Sequence, residues 1–263
     1  MIVHSSTHLP RRCTRAHNKF AQTPISRAGT FRYLHCYLAG TAGAVAAVEP
    51  PTRLRGDAYK PPAADVTGMD PTDLVDRVRS ENRTELSRLG SSKSLYADTE
   101  GEMEGEVVLT ALADTTHHAA EVFDGWGDTF AAAADRERDH YADIAGELDD
   151  HEPGDRPALV ASFRGHETAV DRLGAAVGYT LVAEGKASQA TGFFTGQADP
   201  GTASLFRGIS DGYGTLRGEL LDALEPHDDP DSAVAAATTV VGAAYEEYVT
   251  RLESMGINPK PVC

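Results

Sequence analysis

The sequence predicts an all-α protein, an up-and-down helical bundle with extra helices, preceded by a disordered N-terminal segment. Three observations predict this class. From Met69 onward, apolar residues recur at steps of three and four. Three Asp-Pro pairs, Asp70-Pro71, Asp199-Pro200 and Asp229-Pro230, stand ahead of such stretches. No segment alternates apolar and polar residues over the length of a strand. Asp suits a helix start because its carboxylate accepts from the first unpaired N–H groups. Pro suits the next position, where a missing N–H costs nothing.

The first helix is expected over 71–89, closed by Gly90 and followed by a Ser-rich connection, Ser91-Ser92-Lys93-Ser94. A helix over about 103–125 aligns Val108, Leu112, Thr116, Ala119, Phe123 and Trp126. Gly125 and Gly127 bracket its end, and Asp128 is placed to cap a return helix reaching about 149. That return helix aligns Phe130, Ala134, Glu137, Tyr141, Ile144 and Leu148. The loop His151-Glu152-Pro153-Gly154-Asp155 leads to a fourth helix carrying Leu159, Phe163, Val170, Leu173, Val177 and Leu181. A short helical piece at 186–197 precedes helices at 200–224 and about 231–254. Short turns make consecutive amphipathic helices antiparallel neighbours. The bundle is thus expected over 69–256, with 257–263 as a tail.

Charge divides the chain at the same place. Residues 1–68 carry 9 Lys/Arg against 3 Asp/Glu, whereas residues 69–263 carry 15 against 37. Only Lys93, Lys186 and Lys260 are lysines in the second part. Abundant carboxylate with scarce lysine resembles the proteins of salt-loving archaea, whose cytoplasm holds molar salt. There the Debye length is about 3 Å, so such surface charges hardly repel one another. The same acidity excludes nucleic-acid binding through a basic face after Met69.

Cys13, Cys36 and Cys263 frame no disulfide set or zinc site within 69–256, which fits a reducing, cytoplasmic setting. The apolar run Tyr37–Val48 is too short to span a bilayer, which takes about 20 apolar residues. Three readings of residues 1–68 compete: an export signal, a basic disordered tail, or upstream sequence ahead of a true start at Met69. The abrupt change of composition favours the last.

Glu137 and His140 fall one turn apart on an inward stripe, where a carboxylate and an imidazole need partners or a metal. A paired, satisfied Glu and His is the plainer explanation of such a spacing. The surroundings add to it. Phe130, Ala134-Asp135 and Glu137-Arg138-Asp139-His140 resemble the second helix of rubrerythrins, members of the ferritin-like superfamily. Phe123-x-x-Trp126 is similar to the aromatic pair closing that family's first bundle helix, and Leu205-Phe206-Arg207-x-Ile209 to the start of its fourth. The resemblance covers about 110 residues. It implies a ferritin-like four-helix core with carboxylate–histidine diiron chemistry, typically peroxide reduction, with Glu137, His140 and Glu167 as metal ligands.

The departures are equally specific. The family's first-helix Glu falls on Thr116, and its fourth-helix Glu and His fall on Tyr213 and Leu216. At about 1.5 Å per residue, Glu137 lies level with residues near 116, and Glu104 lies about 18 Å further along. Two irons need roughly four carboxylates, which this set does not supply. A helical scaffold or regulatory adaptor without metal is therefore the preferred expectation, with a protein or a second copy of the chain as partner. The alternative is an iron-dependent oxidoreductase with Tyr213 as a supporting or redox-active side chain. No Cys-x-x-Cys pair is present, so its electron donor would be a separate protein. A site with one metal ion is a third reading. His117-His118 diverge by about 100° on a helix, cannot share one metal without other ligands, and read as solvent-facing. Glu100, Glu102, Glu104 and Glu106 read as a solvated acidic surface.

Overall fold

The computed structural model describes residues 71–260, which are helical with no strand among them. The expectations for residues 1–68 and Met69 lie outside the described residues. Among the described residues nine α-helices follow one another: α1 (Pro71–Glu81), α2 (Arg83–Leu89), α3 (Ser92–Asp98), α4 (Gly105–Gly125), α5 (Ala131–Ala145), α6 (Ala158–Ala161), α7 (Ala169–Gly196), α8 (Pro200–Leu224) and α9 (Pro230–Ser254). None of the described helices is long and apolar enough to cross a membrane.

Two of the Asp-Pro starts act as expected. Asp199 accepts from the Thr202 amide at 3.2 Å and Asp229 from the Ser232 amide at 3.1 Å, with Pro next in each case. Asp128 does not cap α5. Gly127, at φ 93°, turns the chain instead, and a single 3-10 turn over Asp128–Phe130 feeds the helix. The expected first helix is jointed at Asn82, whose buried amide donates to the Val78 carbonyl at 2.9 Å and to Thr238 on α9 at 3.0 Å. The Ser-rich connection folds as α3. The expected fourth helix is broken at 166–168, and the piece at 186–197 is the unbroken end of α7.

Helix α7 is the axis of the structure. Residues 173–183 are buried on every side, because α8 packs along one flank and α9 along another. The α4–α5 hairpin is joined to this group through α5 against α8. One end of the interior is filled by Phe123, Trp126, Phe130, Phe163 and Tyr179, with ring centroids 4.9–6.2 Å apart. Two of the scarce lysines serve the fold. Lys186 is buried against both carboxylate oxygens of Asp98, at 2.8 and 2.7 Å. Lys93 donates to the carbonyls of Asn258 and Lys260, tying part of the tail back to α3. Glu100, Glu102, Glu104 and Glu106 are all exposed.

Candidate functional site

The apolar stripe of α5 carries two polar side chains into the interior. Glu137 is fully buried and His140 is 7 % exposed. Their partners come from α7 and α8. Glu137 Oε2 accepts from the Tyr179 hydroxyl at 3.0 Å and from the Tyr213 hydroxyl at 3.3 Å. The two hydroxyls are 3.4 Å apart. The His140 ring stands edge-on to Tyr213 with centroids 4.9 Å apart. Its Nδ1 is 3.8 Å from Glu137 Oε2, beyond hydrogen-bond range. Glu137 Oε1 and His140 Nδ1 are buried without a protein partner.

Each neighbour is placed by an identifiable cause. Tyr179 packs edge-on against Phe123 and Phe163, with its hydroxyl turned to Glu137 on α5 and Tyr213 on α8. His140 needs the missing side chain of Gly212 on α8, because a Cβ there would stand 2.9 Å from Nε2. Burial, and next the Glu137 carboxylate, push both tyrosine hydroxyls well above their usual range near 10. They are therefore neutral donors. Thr116 is buried on α4 and turns its hydroxyl back to the Ala113 carbonyl at 3.0 Å and that of Leu112 at 3.3 Å. A cavity of about 20 Å³, room for one water, lies between Thr116, Ile144, Phe206, Ile209 and Tyr213.

Glu167 is not brought to this pair. It is exposed in the break before α7, beside the cap Thr168, and about 18 Å along the helix axis from Tyr179. Comparison with protein-family models, with curated proteins and with solved structures finds no match. The site must be judged on its own chemistry. No third His, Cys, Asp or Glu completes a metal-binding group with Glu137 and His140 among the described residues. Where the resemblance would set carboxylates, Tyr213 holds a hydroxyl that donates to Glu137 and Thr116 one that donates to backbone carbonyls. This donor set does not fit two irons.

Among the described residues, the one group of three potential ligands lies elsewhere. His117, His118 and Glu121 on α4 have ligand atoms all within 4.8 Å of one another. The expected divergence of the two histidines is overcome by their using different ring nitrogens. His117 turns Nε2, and His118 turns Nδ1, towards the same carboxylate one turn on. Both rings are half-buried.

The sequence reading named Tyr213 but missed Tyr179. The available signal was a phenol inside an otherwise apolar helix, since a buried hydroxyl demands an acceptor.

Proposed function

We propose that this chain is a ferritin-like helical scaffold or regulatory adaptor in which a Tyr–Tyr–Glu–His cluster stands where a diiron centre would be. One observation carries the reading: Glu137 Oε2 is engaged by two neutral tyrosine hydroxyls. A carboxylate that accepts two hydroxyls has its charge stabilised without a cation. Such a cluster fixes the register of α5, α7 and α8 and leaves recognition to the outer faces of the helices, by a protein partner or a second copy of the chain.

The second reading, an iron-dependent oxidoreductase of rubrerythrin type, draws support from the two buried atoms without partners, Glu137 Oε1 and His140 Nδ1. Both could face an ion.

One experiment decides between the two. The full chain is supplied with ferrous iron in high salt, exposed to air and desalted, and then assayed for bound iron and peroxide consumption. The expected result is no iron that depends on Glu137, and no peroxide turnover above the iron-free protein. Retention of about two irons per chain, abolished by Glu137→Ala, would overturn the proposal and establish the oxidoreductase.

A further inference from the structure

His118 is fixed at both ring nitrogens. Its Nε2 lies 2.9 Å from the Gly154 carbonyl oxygen, and its Nδ1 lies 3.2 Å from Glu121 Oε2. A neutral imidazole has one N–H, so either tautomer leaves a bare nitrogen against an oxygen acceptor. An imidazolium, donating from both nitrogens, relieves the conflict, and so does a neutral ring whose Nε2–H donates to Gly154 while a metal cation sits between Nδ1 and Glu121. That division of labour is the usual one for a metal-bound histidine, whose second nitrogen donates to a carbonyl.

The neighbouring groups suit the same ion. His117 Nε2 is 3.6 Å from Glu121 Oε1. The two histidine–carboxylate separations, 3.2 Å to one oxygen and 3.6 Å to the other, lie near the edge of about 3.4 Å that zinc–ligand bonds of about 2.0–2.1 Å impose on a tetrahedron. One ligand atom from each residue lies within 4.8 Å of the others, so a small turn of the side chains closes them on one ion. The His118 side chain is 13 % exposed, His117 30 % and Glu121 50 %, so one side of the group is open to a solvent ligand. Arg156 also reaches Glu121, donating to Oε2 at 3.0 Å, which leaves Oε1 as the less encumbered oxygen. We infer that His117, His118 and Glu121 form a surface site for a zinc-like divalent transition-metal ion. Two imidazoles and one carboxylate suit that class, whereas magnesium and calcium take oxygen ligands.

The site has a structural consequence. Gly154 belongs to the long connection between α5 and α6, and two anchors hold it to α4. His118 takes its carbonyl, and its amide donates to Asp114 Oδ1 at 2.9 Å. Asp114 is also 3.1 Å from His151 Nε2, and His151 Nδ1 is 3.2 Å from the Tyr141 hydroxyl. Metal on Nδ1 commits the His118 proton to Nε2 and so tightens the hold on Gly154. Binding and loop order are thereby coupled.

The test uses the full chain, stripped of metal and with Cys13, Cys36 and Cys263 alkylated, titrated with zinc by calorimetry in excess magnesium. The expected result is binding of one zinc per chain, with affinity falling at least about tenfold in His117→Ala and in His118→Ala. The Glu137→Gln variant should bind as the unmodified sequence does, which separates this site from the bundle interior. Zinc should also slow hydrogen exchange at the Gly154 amide, and this slowing should be missing in His118→Ala. Absence of zinc binding, or titrations of both histidine variants that superpose on the parent's, would overturn the assignment. Because none of the three side chains belongs to the buried core, circular dichroism melts should show that the variants remain folded.

Discussion

Gly174→Ala and Gly178→Ala are each expected to destabilise the protein, although alanine is the better helix former. The two glycines face α9 one turn apart. A Cβ on Gly174 would stand 2.2 Å from the Ala233 carbonyl oxygen and 2.5 Å from its Cα. On Gly178 the corresponding distances to Ala237 are 2.6 and 2.8 Å. These obstacles are backbone atoms, so no rotamer change relieves them. Helix α9 would have to retreat by roughly 1 Å to restore ordinary contact. The buried Leu173, Val177, Val234 and Val241 lie along the same crossing and would lose packing with it. Overpacking of this kind costs about 1–3 kcal/mol and sometimes more, against about 1 kcal/mol gained in helix propensity. The clash should win, most clearly at Gly174. The double variant should cost less than the sum, because one displacement of α9 serves both methyl groups. Gly192 is the internal control. It is exposed on the same helix with nothing within 4 Å of a Cβ, so Gly192→Ala should add about 0.5–1 kcal/mol. Urea melts at fixed salt compare the four variants with the parent. Equal stabilisation by Gly174→Ala and Gly192→Ala would refute the close crossing.

What the sequence made legible follows from which signals are local. The caps at Asp199 and Asp229 and the helices they open were readable, because a carboxylate, a proline and a stripe of apolar residues act within a few positions. The inward aim of Glu137 and His140 was readable for the same reason. Helix α7 was less so. Residues 173–183 are buried all round, so the period that marks a face vanishes, and a stripe drawn through Leu173, Val177 and Leu181 leaves out Tyr179. The break at 166–168 was hidden because Phe163 and Val170 keep the spacing of a continuous helix across it. With that break, Glu167 leaves the interior. How His117 and His118 meet was hidden for another reason: Cβ directions diverge on a helix, but imidazoles offer two nitrogens, and His118 sets one of its two against Gly154, 36 residues away. Distant pairings of this kind have no signature in the spacing of residues.

Glu137→Ala is expected to cost about 3–5 kcal/mol, whereas Glu137→Gln should cost only about 1–2 kcal/mol. Alanine strands the Tyr179 and Tyr213 hydroxyls in an apolar interior with only each other, and leaves a cavity. Glutamine keeps the volume and a carbonyl oxygen for both donors, and loses only the charge assistance. A metal-ligating carboxylate would behave differently, since a neutral amide is a poor substitute there. The tyrosines give the same cluster an alkaline signature. Their hydroxyls ionise well above the usual value near 10 in the folded state, chiefly through burial and then through Glu137. A raised folded-state pKa means that the unfolded chain releases these protons first. Stability is therefore full below about pH 10 and falls as pH rises above it, by up to about 1.4 kcal/mol per pH unit for each tyrosine. Tyr248 is also raised and adds to the slope in every variant, so it cancels in the comparison. Replacing Tyr213 by Phe lowers stability at neutral pH, because Glu137 loses a donor. It should also make the decline between pH 10 and 11.5 shallower, by up to about 1.4 kcal/mol per unit at the upper end. Parallel declines in the parent and in Tyr213→Phe would mean that the hydroxyl is not held in the buried hydrogen bond to Glu137.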